Sequence, residues 1–316
     1  MRARCGLAFV VLLGLAVPGV AAAAPPGPGL ALTPEQVGGR ERVALATVPW
    51  RVRVVMRPWV PGQVVSVRFY RHGKRLSEVQ VPLAQTPGDD SGYGVVPFQT
   101  TTEGRVEVRA THLATPEAAT MVAAPVRVKV SALRAGPGAR GPAVRLLQQQ
   151  LAAAGYVVGR RGVYDDRTAR AVVAFRKMTG MARTPLAGAD VFRRLARGGG
   201  RFKVRFPSHG KHVEADLSRQ VLALVRGGTV ERIYPMSSGK PSTPTVLGSF
   251  RVYSKSPGTN AKGMFFSNYF IRGYAIHGYV SVPVFAASHG CLRVPIPDAI
   301  SIYGWLRIGN VVDVYR

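Results

Sequence analysis

The hydrophobic period of this chain changes twice along its length, and that limits what it can fold into. Between residues 41 and 130 apolar residues alternate with polar ones. The runs are Trp50-Arg51-Val52-Arg53-Val54-Val55, Val64-Val65-Ser66-Val67-Arg68-Phe69-Tyr70, Arg105-Val106-Glu107-Val108-Arg109 and Val126-Arg127-Val128-Lys129-Val130. A period of two places one side of a strand in a core and the other in solvent. His72-Gly73-Lys74 supplies a tight hairpin turn. Short strands at regular spacing predict a small β-sandwich over 41–130. His72 and His112 each stand alone and are read as turn or surface histidines.

From 132 to 197 the spacing becomes helical. Pro142 suits a first helical turn, and Val144, Leu147 and Leu151 recur on one face, with Gly155 closing the helix. Ala171, Val172 and Phe175 define a second helix over 168–179, with an Asp available as N-cap and Gly180 at its end. A third short helix fits 188–197. Three such helices enclose only a marginal core by themselves. Gly198-Gly199-Gly200 reads as a flexible hinge.

After the glycines the pattern returns to strands, so the last domain spans 202–316. Gln220 to Val225, a Gly227-Gly228 turn and Thr229 to Met236 predict a hairpin. Phe250 to Tyr253, Tyr269 to Ile271 and Val311 to Tyr315 are further strands, and Pro297-Asp298-Ala299 opens a helix carrying Ile300, Tyr303 and Leu306. The chain as a whole is expected to be mainly β.

The first residues read as an export signal. Arg2 and Arg4 precede an apolar stretch from Gly6 to Val17, then Pro18-Gly19 and four alanines. The stretch is short for a membrane span, so cleavage after Ala23 or Ala22 is expected, with an uncleaved anchor as the alternative. Residues 1–23 are then a signal peptide and 24–40 a Pro/Gly linker without structure. The expected location is secreted and associated with the cell wall. The net charge of +27 suits an anionic surface, and residues 132–205 alone carry about +13. Nucleic acid is the other usual partner of such charge. The chain has no nucleic-acid fold signature, and export would separate it from nucleic acid.

Export also sharpens the question of the cysteines. The chain has two, Cys5 in the leader and Cys291. A mature chain with one thiol cannot close an internal disulfide, so Cys291 calls for a chemical or intermolecular explanation. His277 lies fourteen positions upstream and His289 two positions upstream, within Ser288-His289-Gly290-Cys291. A thiol needs a nearby base to act as a nucleophile. His277, at the end of a strand, is assigned as the base, and His289 a supporting part at the substrate. The Cys291 amide, with that of Gly290 or Leu292, is a candidate oxyanion donor.

Ile276-His277-Gly278 followed by Ser288-His289-Gly290-Cys291-Leu292-Arg293 resembles the catalytic motif of the L,D-transpeptidase (YkuD) family. Ser238-Gly239-Lys240, Thr243-Pro244-Thr245 and Gly248-Ser249-Phe250 are similar to its lead-in. The resemblance covers about 203–316. It implies a catalytic β-sandwich in which Cys291 is the nucleophile, His277 its base, and the Gly278 carbonyl the group that orients the imidazole. Ser288, His289, Gly290 and Arg293 would line the oxyanion and substrate site, and Lys262 or Arg293 could meet a stem carboxylate.

The implied reaction is attack on the third residue of a tetrapeptide stem, release of D-Ala, and transfer of the thioester to an amine of a neighbouring stem. Water as acceptor would make the enzyme an L,D-carboxypeptidase. Peptidoglycan is the implied partner, carbapenems the implied acylating inhibitors, and no cofactor or metal is called for. Leu133, Gly136, Gly138, Val144, Leu147-Gln148, Leu151, Gly155-Tyr156, Thr168, Ala171-Val172 and Phe175 resemble the three-helix peptidoglycan-binding domain, with Arg176 where a Gln is usual. The 41–130 segment resembles the immunoglobulin-like spacers of bacterial surface proteins at the level of fold.

Three other readings compete: a zinc site, a different cysteine enzyme of the wall, whose order or spacing of Cys and His is not the one found here, and a wall-binding protein without catalysis. A zinc site of His277, His289 and Cys291, with Asp298 as fourth ligand, matches no common ligand spacing. A wall-binding protein that has lost catalysis would tolerate Cys291→Ala.

Overall fold

The computed structural model describes residues 27–37 and 42–316. The expected leader over 1–23 lies outside the described residues. Two compact units divide between Ser131 and Ala132. None of the described helices is long and apolar enough to cross a membrane.

The described residues of the first unit form ten strands: β1 (Gly29–Glu35), β2 (Val43–Leu45), β3 (Trp50–Arg57), β4 (Val64–Arg71), β5 (Lys74–Pro82), β6 (Ala84–Gln85), β7 (Gly92–Phe98), β8 (Gly104–His112), β9 (Met121–Val122) and β10 (Val126–Ser131). They form two sheets, ordered β1-β3-β7-β6 and β2-β10-β8-β4-β5, with β9 beside β8. The alternating residues of both sheets meet in one core: Val52, Val54 and Met56 from β3, Val65, Val67 and Phe69 from β4, Val106 and Val108 from β8.

Two expectations are corrected here. The segment read as an unstructured linker contains β1, which pairs antiparallel with β3 from Gly29↔Arg57 to Glu35↔Arg51. The β3 edge needs a partner, and the Leu30 and Leu32 side chains have a core to enter. His112 is buried, with its ring nitrogens on Gln63 and the Ala119 carbonyl, whereas it was expected at the surface.

The second unit opens with α1 (Pro142–Ala153), α2 (Asp166–Met178) and α3 (Ala189–Ala196). Asp165 caps α2 by accepting the Thr168 N–H at 2.9 Å. Gln148, buried on α1, donates to the Arg160 and Val163 carbonyls and accepts from the Gly162 N–H, fastening the loop between α1 and α2. Arg176 does the same for the following loop through the Leu186 and Ala182 carbonyls.

Nine strands and a helix follow: β11 (Lys211–Asp216), β12 (Val221–Arg226), β13 (Thr229–Pro235), β14 (Gly248–Arg251), β15 (Ser254–Thr259), β16 (Phe265–Ile271), β17 (Tyr274–Tyr279), β18 (Leu292–Pro295), α4 (Ile296–Trp305) and β19 (Val311–Tyr315). The sheets run β13-β12-β11-β19-β14 and β15-β16-β17-β18. The pairs β11–β19 and β17–β18 are parallel; the other pairs in these two sheets are antiparallel.

The five-stranded sheet is covered on both faces. Leu222, Leu224 and Tyr234 pack with Ile276, Leu292, Val294 and Ile302 in one core. Val221, Ala223, Val225 and Ile233 pack instead with Val172, Phe175 and Phe192 of the helices. This accounts for the unbroken apolar run 221–225, since a strand buried on both faces has no polar side.

The helices are therefore not tethered through a free hinge, as Gly198-Gly199-Gly200 had suggested. The Gly198 and Gly199 N–H groups donate to the Leu195 and Arg194 carbonyls. The Tyr156 hydroxyl donates to the Gly200 carbonyl at 2.5 Å. Lys177 sits 3% exposed with Nζ donating to the Met236 carbonyl at 2.8 Å and the Gln220 carbonyl at 3.2 Å.

Candidate active site

The site is built on the parallel pair β17–β18. Register pairs His277 with Arg293 and Ile276 with Leu292. One step further back, Cys291 falls level with Ala275, two residues along β17 from His277 and on the same face. The fourteen-residue separation in sequence thus closes to neighbouring positions, His277 on β17 and Cys291 immediately before β18. Ile276, Leu292 and Val294 point into the core and anchor both strands.

Gly278 follows His277 for a packing reason. A Cβ there would lie 2.8 Å from the Ala299 Cβ and 3.2 Å from the Ile296 Cα, so its absence lets α4 seat directly against β17. The Gly278 carbonyl lies 2.9 Å from His277 Nδ1. A carbonyl can only accept, so Nδ1 carries the proton and Nε2 keeps its lone pair. The imidazole is 2% exposed, with its ring set edge-on to Tyr279 at 5.7 Å. Burial pushes its pKa down to about 4, the Gly278 carbonyl opposing and Arg293 adding to the effect.

Burial also raises the Cys291 thiol above its ordinary value. The Ala275 N–H and the charges of Arg293 and Lys262 partly offset this. The thiol lies 3.9 Å from the Gly273 carbonyl. At neutral pH the resting pair is a thiol and a neutral imidazole. Arg293 is held with its guanidinium 4.2 Å over the Tyr279 ring, and its backbone exchanges hydrogen bonds with Ser237.

Two residues expected to line the site, Ser288 and Gly290, shape the loop that carries the thiol. Ser288 is fully buried. Its hydroxyl donates to the Cys291 carbonyl at 2.6 Å and accepts from the Gly290 N–H at 3.1 Å, clamping the loop that carries the thiol. The Gly290 amide is therefore engaged by the loop itself in the resting site. Gly290 has φ +115°, and a Cβ there would fall 2.4 Å from the Tyr274 ring, so the position needs glycine for its own backbone and for Tyr274. His289 is exposed, with no hydrogen bond among the described residues. Lys262 is exposed in the turn between β15 and β16. Asp298, weighed as a metal ligand, is buried and held by both Arg170 nitrogens at 2.8 and 3.1 Å.

Sequence reasoning missed the supports behind the nucleophile loop. The Ala287 and Ser288 N–H groups donate to the Ser238 carbonyl, and the Lys240 N–H to the Ser288 carbonyl. The Ser238 N–H in turn donates to Gln220 Oε1. The Ser238-Gly239-Lys240 motif marked this segment without showing which loop it braces.

Two sheets enclose an apolar core, with a histidine on one of two parallel strands and a cysteine immediately before the other. Residues 210–314 match the family profile of the L,D-transpeptidase catalytic domain (YkuD), and residues 140–195 match that of a peptidoglycan binding domain. A crystal structure of an L,D-transpeptidase fragment from Xylanimonas cellulosilytica is 35% identical, with a TM-score of 0.54; the match covers 58% of this chain and 97% of that one. L,D-transpeptidase 1 of Mycobacterium tuberculosis is 28% identical over an alignment of 126 residues that covers 32% of this chain and 48% of the relative. The chain thus spans about half the length of the curated relatives it matches. The chain belongs to the L,D-transpeptidase family.

Proposed function

We propose that this chain is an extracytoplasmic L,D-transpeptidase that cross-links peptidoglycan through a thioester on Cys291. The observation that carries the reading is the Nδ1 contact to the Gly278 carbonyl, 2.9 Å long. It leaves Nε2 of a neutral imidazole as a proton acceptor beside the strand that leads out of Cys291.

In this reading Cys291 Sγ attacks the carbonyl of the third residue of a tetrapeptide stem while His277 Nε2 takes the thiol proton. The Cys291 N–H donates to the oxyanion. Collapse breaks the bond to the terminal D-Ala, whose amine receives the proton from His277. An amine of a second stem then attacks the thioester, His277 accepts its proton, and the thiol is restored. A diamino acid at the third position makes the product a 3→3 cross-link. Arg293 and Lys262 would meet a stem carboxylate and favour the thiolate as it forms. The peptidoglycan-binding helices would hold the chain on its substrate.

The test is intact mass of the full chain after mixing with a carbapenem, with Cys291→Ala alongside. A stoichiometric adduct on the wild type and none on the variant is expected. An adduct that survives Cys291→Ala, or none on the wild type, would sink the reading. Incubation with tetrapeptide muropeptides then separates transfer to an amine, which gives a dimer, from transfer to water, which gives a tripeptide.

A further inference from the structure

On the face of the second unit where the helices meet β11 and β19, a cavity of about 500 Å³ opens beside Tyr315. Its charged lining is Arg194, Arg201, Lys203, Arg205, Arg219 and Asp216. Five cations thus face one carboxylate. Asp216 is already engaged, accepting the Arg219 N–H and lying 3.5 Å from its guanidinium. Arg219 also donates to the Met178 carbonyl, and Arg205 lies 4.0 Å over the Tyr315 ring. These two are fixed in place by the protein. Arg194, Arg201 and Lys203 are exposed and have no ion pair or side-chain hydrogen bond among the described residues. None of these groups belongs to the catalytic constellation.

Cations gathered in one concavity repel each other, and among the described lining residues only Asp216 opposes them; bound anionic charge would balance the rest. A single carboxylate would leave most of the excess in place. A polymer with a phosphate in every repeat supplies several charges within the reach of one cavity. Guanidinium forks, which make up four of the five cations, match phosphate oxygens in pairs. We infer that this cavity is a binding site for a phosphodiester polymer of the cell envelope, separate from the peptide-stem site at Cys291. That the polymer belongs to the wall rests on the proposed function; the anion site itself does not.

The test uses the full chain and fluorescently labelled poly(glycerol phosphate), read by anisotropy at about 0.15 M salt, where long-range attraction is largely screened. The pocket variant is Arg194→Gln with Arg201→Gln and Lys203→Gln. A control of equal charge is Arg134→Gln with Arg140→Gln and Arg161→Gln, exposed positions elsewhere on the helical domain. The pocket variant is expected to bind roughly tenfold more weakly or worse, the control within about twofold, and the salt slope to shrink only in the first. Equal losses in both variants would reduce the effect to diffuse charge and overturn the site, as would no measurable binding by the wild type. A DNA duplex that competes better than unlabelled polymer would overturn the envelope polymer as ligand. Carbapenem acylation of Cys291 is read separately on the same variants and should be unchanged, so failure of either result does not mimic failure of the other.

Discussion

The pH behaviour of His277 and Cys291 follows from burial without full pairing. With its pKa near 4, His277 stays neutral, and able to accept the thiol proton, down to about that pH. Carbapenem acylation rates should therefore fall on the acid side near pH 4, and a limb at the ordinary histidine value near 6.5 would contradict this geometry. The same depression makes folding pH-dependent: the contribution of His277 is complete above about 6.5 and is lost as pH falls toward 4. Lys177, whose pKa is pushed down to about 7 by burial, works in the same direction in another window. Its unfolded form binds more protons between pH 7 and 10.5, so stability rises with pH there, by at most about 1.4 kcal/mol per unit. Urea unfolding of wild type against Lys177→Met should show the difference between the two widening in the wild type's favour from pH 7 to 10. Gly290→Ala should cost on the order of 1–3 kcal/mol, from its positive φ and the Tyr274 ring, and should slow acylation in the same preparation.

At the scale of elements, the parallel pair β17–β18 converts two distant motifs into one site, and α4 holds that pair from behind. Helix α2 in turn holds α4 through Arg170 and the buried Asp298, with Arg167 at 3.8 Å from the same carboxylate. Removing one partner of a buried pair leaves a charge without compensation. With Arg167 still facing the carboxylate, Arg170→Ala should lower the unfolding free energy by about 1–3 kcal/mol, and adding Asp298→Asn should restore most of it. A variant with Arg170→Ala as stable as wild type in urea would mean that water replaces the guanidinium at no cost.

For the whole molecule, the two faces of the five-stranded sheet decide where the chain can be cut. A fragment of residues 132–316 keeps both cores and should be soluble, folded and acylated by a carbapenem. A fragment of residues 202–316 exposes Val221, Ala223, Val225 and Ile233, buried in the intact chain, and should aggregate or fold poorly. Size exclusion and circular dichroism of the two fragments check this. A monodisperse, folded 202–316 would mean that the helices are an accessory after all.

Much of this protein is short-range and was legible in the chain itself. Alternation placed the strands around Val52, Val67, Val108 and Val128, and three-four spacing placed α1 and α2, because backbone period and side-chain polarity are coupled within a few residues. The motifs around His277 and Cys291 marked a candidate base and nucleophile because two strand ends can carry them to one face. What the chain did not show is what lies across each surface. The run 221–225 has the same letters whether one face or two is covered. Gly198-Gly199-Gly200 is the same tripeptide free or packed, and β1 is a strand because β3 offers an edge. Lys177, Arg170 and Asp298 are ordinary surface residues until another element removes their water. The energy of a charge depends on which partner replaces that water, and the partners here are 59 and 128 residues away in sequence. Only the folded arrangement supplies them, and with them the gathering of Arg194, Arg201, Lys203, Arg205 and Arg219 around one cavity.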